Sequence, residues 1–236
     1  MMKVRDGWKI WAVVLIAAGL VGCEVAGEMV EDSKTVELGR AKTAEVKLDI
    51  GVGELRIQGG AKELMEAYFS YNIEHWKPEV DYRIVRDAGV LTVRQGESRG
   101  MTLGRKRNIW DISLNDDVPL DLNIDFGVGE GKLDLTGLKL KSLDIDMGIG
   151  ELVLDLSGER KNSFDVILDG GIGSATIYLP EHIGVRARID GGIGSVDASG
   201  FKKRGDIYTN DAFGKTDVSI DIDVDAGIGS IELRLR

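Results

Sequence analysis

A short motif with two glycines constrains the fold of this chain more than any other feature of its sequence. The motif is an aspartate, one further residue, a glycine, a β-branched residue and a second glycine, and its six copies place the first glycine at Gly51, Gly127, Gly148, Gly171, Gly192 and Gly227. Four copies lie 21 or 23 residues from a neighbour, and hydrophobic alternation runs into and out of each copy. This spacing is typical of a stacked repeat, in which each unit buries its apolar face on the next.

Two aliphatic columns in the aligned copies predict which side chains face the core. Three residues before the first glycine stand Leu48, Ile124, Ile145, Leu168, Ile189 and Val224. Between the two glycines stand Val52, Val128, Ile149, Ile172, Ile193 and Ile228. We expect both columns to point inward and to stack at about 4.8 Å, the spacing of neighbouring strands. The glycines would then flank an inward residue at a tight corner that excludes a Cβ.

These patterns predict an all-β fold, a single-stranded β-solenoid that forms a right-handed, parallel β-helix-like stack with Gly-x-Gly corners. The interval between Gly192 and Gly227 is longer than one unit, which predicts a protruding loop near residues 201–217. The chain ends directly after a predicted strand at residues 231–235. We therefore expect the last rung to have an uncovered edge and the protein to self-associate through it.

An aspartate occupies the same place in all six copies, at Asp49, Asp125, Asp146, Asp169, Asp190 and Asp225. Stacked about 5 Å apart, such carboxylates repel by about 0.8 kcal/mol per pair in water and about 3 kcal/mol at an effective dielectric constant of 20. Either each carboxylate accepts hydrogen bonds from the glycine N–H groups that follow, or a cation such as calcium lies between rungs. Capping by hydrogen bonds is favoured, because calcium takes six to eight oxygens and each copy offers one regular carboxylate. We therefore expect no metal and no cofactor.

The N-terminal residues are typical of an exported lipoprotein. Basic residues precede an apolar run at residues 10–21, which is too short to cross a bilayer and ends in Leu-Val-Gly-Cys at Cys23. This pattern predicts a signal peptide at residues 1–22, a lipidated acidic tether at 23–36 and a β domain at 37–236. Lipid on Cys23 would hold the protein at the outer face of the cytoplasmic membrane or at the outer membrane.

Composition and motifs argue against several classes of function. A formal net charge of −10 argues against a nucleic-acid partner, whose phosphates would be repelled. The glycine pairs lack the following helix that a dinucleotide-binding turn requires. The two histidines, His75 and His182, do not lie in a recognisable nucleophile or metal arrangement. The sequence therefore predicts a protein without enzymatic activity.

Residues 169–194, which contain Leu-Pro-Glu-His between two motif copies, resemble two related families. One is the toast-rack family of bacterial envelope proteins, and the other is the C-terminal domain of LiaF-like cell-wall-active antibiotic response proteins. Residues 48–67 and 110–138 are similar to the N-terminal part of the toast-rack family. The resemblance implies a stacked all-β domain and, from the LiaF-like members, a link to sensing or regulating envelope stress. It carries over no catalytic residue.

Two functional interpretations follow. In the first, the protein is a non-enzymatic, lipid-anchored cell-envelope protein, a scaffold or interaction module with an envelope protein partner and a link to the envelope-stress response. In the second, it is a carbohydrate-binding or adhesive surface module, with or without calcium, that uses the loop at residues 201–217 and stacks Trp76 and Trp110 on sugar rings.

Overall fold

The computed structural model describes residues 24–97 and 102–236 as a chain of strands with one 3-10 turn, at Glu74–Trp76. The strands in chain order are β1 Glu24–Val25, β2 Val30–Val36, β3 Thr43–Gln58, β4 Met65–Tyr71, β5 Glu79–Val85, β6 Ala88–Arg94, β7 Thr102–Leu103, β8 Asn108–Leu114, β9 Leu120–Asp134, β10 Leu140–Asp155, β11 Phe164–Leu179, β12 Gly184–Asp197, β13 Lys202–Arg204, β14 Ile207–Thr209 and β15 Ser219–Leu235. Cys23 and the predicted signal peptide at residues 1–22 lie outside the described residues. Within those residues, no helix is long and apolar enough to cross a membrane.

Six long parallel strands carry the six motif copies. They lie side by side in the order β3, β9, β10, β11, β15 and β12. Every copy is in register with its neighbour, so that Asp49 pairs with Asp125 and Gly53 with Gly129, and the same holds along the stack. The predicted all-β, solenoid-like fold is therefore confirmed, and the hand of the coil stays a prediction.

Each long strand changes direction at its Gly-x-Gly corner, and its two halves contribute to two layers around one core. The first half of β3 pairs with β6 and its second half with β8. Before the corner of β3 the buried residues are even-numbered, as Leu48 and Ile50 are. After the corner they are odd-numbered, as Leu55 and Ile57 are. All four side chains belong to one hydrophobic cluster, so the core lies between the layers. The column of Leu48, three residues before the first glycine, is buried in all six strands as predicted.

In the four copies whose side chains the structure describes at this position, the residue between the glycines faces solvent, so the prediction that it points inward is wrong there. Val52, Val128, Ile149 and Ile228 are 41%, 44%, 50% and 50% exposed. The inner side of the corner is filled instead by the residue before the first glycine, which is the buried Ile50 in β3, Phe126 in β9 and Met147 in β10. Because only one side chain fits inside so tight a corner, the residue between the glycines lies on the outside.

The last strand lies inside the sheet for most of its length, so the predicted uncovered edge at residues 231–235 is wrong for Ile231 and Glu232, which pair with both β11 and β12. Among the described strands, residues 233–235 pair with β11 only. Strand β15 pairs with β11 on one side and β12 on the other. The chain reaches this position through the antiparallel hairpin β13–β14, which pairs with β12 only at Arg186–Arg188. At this end of the sheet, the described part of the chain leaves an open edge along the second half of β12, at residues 190–197.

The predicted tether at residues 23–36 is wrong for most of its length. Strand β2 pairs antiparallel with β4 from Val30 opposite Tyr71 to Val36 opposite Met65. Seven paired residues satisfy the backbone of this acidic segment, and Val36 is buried against the core. The charged side chains of β2 reflect its position as an edge strand, where charge discourages pairing with another molecule.

Two adjacent glycines in β11 allow the close backbone contact at the corner to be tested by substitution. A Cβ added at Gly171 would overlap the carbonyl oxygen of Gly148, whereas a Cβ added at Gly170 would have only the Asp225 carbonyl oxygen nearby, at 3.9 Å. We expect Gly171→Ala to lower the free energy of unfolding by about 3 kcal/mol or more, and Gly170→Ala to change it by less than about 1 kcal/mol. Chemical denaturation measures both, and equal effects of the two substitutions would contradict the close-contact explanation.

Candidate functional site

The aspartate column forms a row of exposed carboxylates along one side of the corner. Burial raises the pKa of Asp125, and the charges of Asp49 and Asp146 raise it further. The pKa of Asp169 is raised by burial and then by the charges of Asp146 and Asp225. The carboxylates of neighbouring strands therefore repel each other, as the register predicts.

The expected hydrogen bonds from the glycine N–H groups to these aspartates are absent among the described residues. The strand is extended here, so that the backbone N–H groups serve the ladder between strands while the carboxylates point outward. Asp49 is paired with Arg94, with 3.2 Å between Oδ2 and Nε. Asp125, Asp146 and Asp169 have no such ion pair in the described part of the chain.

Capping by aspartate occurs instead at the turns between rungs. Asp134 Oδ1 accepts hydrogen bonds from the Thr136 N–H at 3.2 Å and the Thr136 hydroxyl at 2.6 Å. Asp155 Oδ1 accepts the equivalent bonds from Ser157 at 2.9 Å and 2.6 Å. The signal for these caps is an aspartate followed two residues later by a serine or threonine, and it is visible in the sequence.

The residues proposed for metal or sugar binding do not come together. In residues 24–97 and 102–236, no group of three or more His, Cys, Asp and Glu side chains could hold a metal ion. Trp76 and Trp110 are buried, and the Trp110 Nε1–H donates to Asn108 Oδ1 at 3.0 Å, so neither ring is available to a sugar. His75 and His182 are both exposed, His75 in the 3-10 turn and His182 in the connection between β11 and β12.

The loop at residues 201–217 has a structural role. Its Tyr208 and Asn210 are buried. The Asn210 amide accepts a hydrogen bond from the Val185 N–H at 2.9 Å and donates one to the Ile183 carbonyl at 2.7 Å, which fixes the loop against β12. The second interpretation is therefore wrong about Trp76 and Trp110, which are buried, whereas carbohydrate binding at the loop stays a prediction.

A broad depression on the outer face of the second layer is the candidate functional site. It has a volume of about 920 Å³ and runs across strands β2, β4, β8, β3, β9, β10 and β11. We call it the Tyr68–Tyr178 groove after the two aromatic residues at its ends, and its other polar lining includes Arg56, Asp111, Lys132 and Arg236. The five strand spacings between β4 and β11 separate the two tyrosines by about 24 Å along the sheet. The groove is thus long enough for an oligomeric ligand.

Ion pairs and ring contacts fix the polar side chains of the groove. Arg56 contacts Asp111 at 3.2 Å and Glu54 at 2.9 Å. Arg236 lies over the ring of Tyr178, with 3.4 Å between its guanidinium carbon and the ring centroid, and it also contacts Asp155 at 2.6 Å. Both arginines are held against an anion or a ring, so the groove presents ordered hydrogen-bonding groups of both charges.

Tyr68 offers the most accessible ring of the groove. Its side chain is 38% exposed. A hydrogen bond with Glu31 raises the pKa of the phenol, and burial and the charges of Glu31 and Asp111 raise it further. Tyr68 therefore keeps its proton at neutral pH and donates it to Glu31, so that its phenol oxygen can accept a hydrogen bond from a ligand. The described lining of the groove thus offers hydrogen-bonding groups and apolar surface to a ligand.

Comparison with known proteins places the chain in a family. Residues 25–178, which are more than half of the chain, match the N-terminal domain of toast_rack (DUF2154), and residues 128–233 match the C-terminal domain of the cell wall-active antibiotics response protein LiaF. The chain belongs to the toast-rack family. The recognition of this family from the glycine motifs is confirmed. No curated protein matches this toast-rack protein.

A solved structure at 39% identity shares the fold of this toast-rack protein. A candidate cell adhesion protein from Clostridium sporogenes ATCC 15579 is 39% identical, with a TM-score of 0.86 over 89% of this chain and 100% of that chain. Two candidate adhesins, from Bacteroides fragilis NCTC 9343 and Parabacteroides merdae ATCC 43184, are 10% and 14% identical, with TM-scores of 0.31 and 0.28. Each covers 89% of this chain, and the matches span 99% and 98% of their own chains. The family matches and the relative from Clostridium fit a non-catalytic module of the cell envelope.

Because the carboxylates of the aspartate column repel each other, we expect the removal of one charge to stabilise the fold. This stabilisation should depend on pH. The pKa of Asp125 in the folded protein lies above its ordinary value of 3.8, so its ionised form destabilises the fold. We expect Asp125→Asn to raise the melting temperature at neutral pH. The gain should shrink as the pH falls through the folded-state pKa and vanish below 3.8.

Asp121→Asn in the same strand is the control, because Asp121 is paired with Lys141 at 2.6 Å and accepts a bond from the Ser142 hydroxyl at 2.8 Å. This substitution should give no gain at neutral pH. A gain from Asp121→Asn, or an Asp125→Asn gain that persists below pH 3.8, would contradict the assignment.

Proposed function

We propose that this toast-rack protein is a non-enzymatic, lipid-anchored module of the bacterial cell envelope that binds a polyhydroxylated cell-wall polymer along the Tyr68–Tyr178 groove. The observation that carries the proposal is the groove itself, a long open face with an aromatic ring at each end and fixed polar groups between. Such faces suit ligands that offer both apolar ring surface and many hydroxyl groups.

The charges of the groove favour a polymer with many hydroxyl groups over a strongly charged one. Arg56, Lys132 and Arg236 alternate with Asp111, Asp134 and Asp155 along the lining. Neither sign prevails, so the groove would repel neither a weakly acidic nor a weakly basic chain. The description of the Clostridium relative as a candidate cell adhesion protein supports a role in contact with envelope material.

Membrane attachment is the second part of the proposal. Lipid on Cys23 would hold the domain at a membrane surface, either the outer face of the cytoplasmic membrane or the outer membrane. The segment between Cys23 and β2 is short, so the β domain would lie close to that surface.

A single substitution tests the anchor. We expect Cys23→Ser to move the protein from the membrane fraction to the aqueous phase of a detergent partition, because the cysteine thiol is the acceptor for lipid. A matched Ser33→Ala substitution should leave the partition unchanged. A Cys23→Ser protein that stays in the detergent phase would contradict lipid anchoring, and it would leave the groove experiment unaffected.

Glycan binding is tested at the two tyrosines. We expect soluble cell-wall glycan fragments to give heat on titration into the delipidated domain, and Tyr68→Ala to weaken binding about two- to tenfold through the loss of a ring contact. Tyr178→Ala should weaken binding less, because Arg236 already lies over that ring. Phe213→Ala is the control, since Phe213 is an aromatic residue of the same 38% exposure outside the groove. An absence of heat with the unmodified protein, or an equal loss from Phe213→Ala, would contradict the proposal.

The LiaF-like match over residues 128–233 favours a second function, a scaffold in the response to envelope stress. Loss of the protein is then expected to change the response of the cell to a cell-wall-active antibiotic. Restoration by the unmodified protein and not by the Cys23→Ser variant would link the response to the anchored form. An unchanged response in cells without the protein would contradict this function.

A further inference from the structure

Four exposed aliphatic side chains lie in one line along the outside of the corner. Val52, Val128, Ile149 and Ile228 occupy the same register in β3, β9, β10 and β15, and the position between Ile149 and Ile228 belongs to β11. They are 41%, 44%, 50% and 50% exposed, and we call them the aliphatic ridge. Four strand spacings give the ridge a length of about 19 Å.

Each ridge residue has a glycine on both sides in its strand, so no adjacent side chain covers it. A Cβ at Gly148 would overlap the carbonyl oxygen of Gly127, and a Cβ at Gly150 would overlap that of Gly129. No neighbouring side chain in the same strand can therefore cover Ile149. Valine and isoleucine also have few χ1 rotamers to lose, so the ridge is already ordered for contact with another surface.

Packing of the hydrophobic core does not explain why aliphatic residues occupy the ridge. The ridge points away from the hydrophobic cluster, and threonine would serve an exposed strand position equally well. Single exposed apolar residues are ordinary on a protein surface, but an aligned row of them marks an interaction site. We therefore expect a binding partner to cover the ridge. The charges around the ridge indicate the chemistry of that partner.

Acidic rows flank the ridge where it crosses β9 and β10. On one side lie Asp125 and Asp146, and on the other lie Glu130 and Glu151, each three residues from a ridge residue or closer. In the described part of the chain, none of these four carboxylates has an ion pair with a Lys or Arg side chain. They would repel an anionic lipid surface and the same acidic face of a second copy.

We propose that the aliphatic ridge is a docking surface for a partner protein whose contact segment carries apolar side chains between two rows of Lys or Arg. The partner's cations would neutralise the flanking carboxylates while its apolar row covers the ridge. A helix of about 13 residues spans 19 Å, so one short amphipathic helix is enough. The ridge lies at the corner and the Tyr68–Tyr178 groove on the outer face of the second layer, so this inference does not depend on glycan binding.

A synthetic helical peptide with leucines on one face and lysines on both flanks is the probe, and its binding to the full domain is measured by fluorescence anisotropy. We expect the double substitution Val128→Thr and Ile149→Thr to weaken binding about fivefold or more, because two central apolar contacts are lost. The control is Ile167→Thr, since Ile167 is 46% exposed on β11 away from the ridge. It should change the affinity less than about twofold.

The role of charge is tested by changing the charged residues of the peptide and by varying the salt concentration. The same peptide with glutamates in place of its lysines should not bind, and binding of the lysine peptide should weaken between about 0.1 M and 1 M salt. Melting temperatures of both variants close to that of the unmodified protein show that the fold is intact. An equal loss from Ile167→Thr, binding of the glutamate peptide, or tighter binding to vesicles of anionic lipid would each overturn the proposal.

Discussion

The close approach of glycine backbones at the corner is the interaction on which the rest of the structure depends. The carbonyl oxygen of Gly127 lies where a Cβ of Gly148 would be, and the same contact repeats from strand to strand. It allows all six long strands to turn at one register, which keeps the two layers parallel and closes a single core between them. It also fixes the aspartates in one row and the aliphatic ridge in another. The aspartate row and the aliphatic ridge are therefore consequences of the same backbone contact.

The register of the repeat and its buried column could be predicted from the sequence. Strict spacing of the motif in β9, β10 and β11 predicts in-register parallel strands, because any shift would bring a side chain against a glycine carbonyl. The buried column at Leu48 and its equivalents follows from hydrophobic alternation in the same way. Alternation cannot show what happens at the corner, where the period of two breaks. The direction of Val52 depends on which neighbour fills the inside of the turn, and Ile50 does so.

Features that depend on contacts between distant segments could not be predicted from the sequence. Nothing local indicates that β15 lies between β11 and β12, since all three strands carry the same motif. The acidic composition of β2 is equally typical of a tether and of a guarded edge strand. The Tyr68–Tyr178 groove brings together outward residues of seven strands, each of which looks like an ordinary solvated position. Only the order of the strands shows that they share one surface.

The interior position of β15 has a consequence for the synthesis of the protein. A ribosome releases β12 and the β13–β14 hairpin before residues 219–235, yet among the described strands the only long strand that pairs with β12 is β15. Strand β12 therefore stays undocked until residues 219–235 have emerged and completed this part of the sheet. Translation that stops early would leave apolar residues of both β11 and β12 open to proteases, so incomplete chains would be removed rapidly.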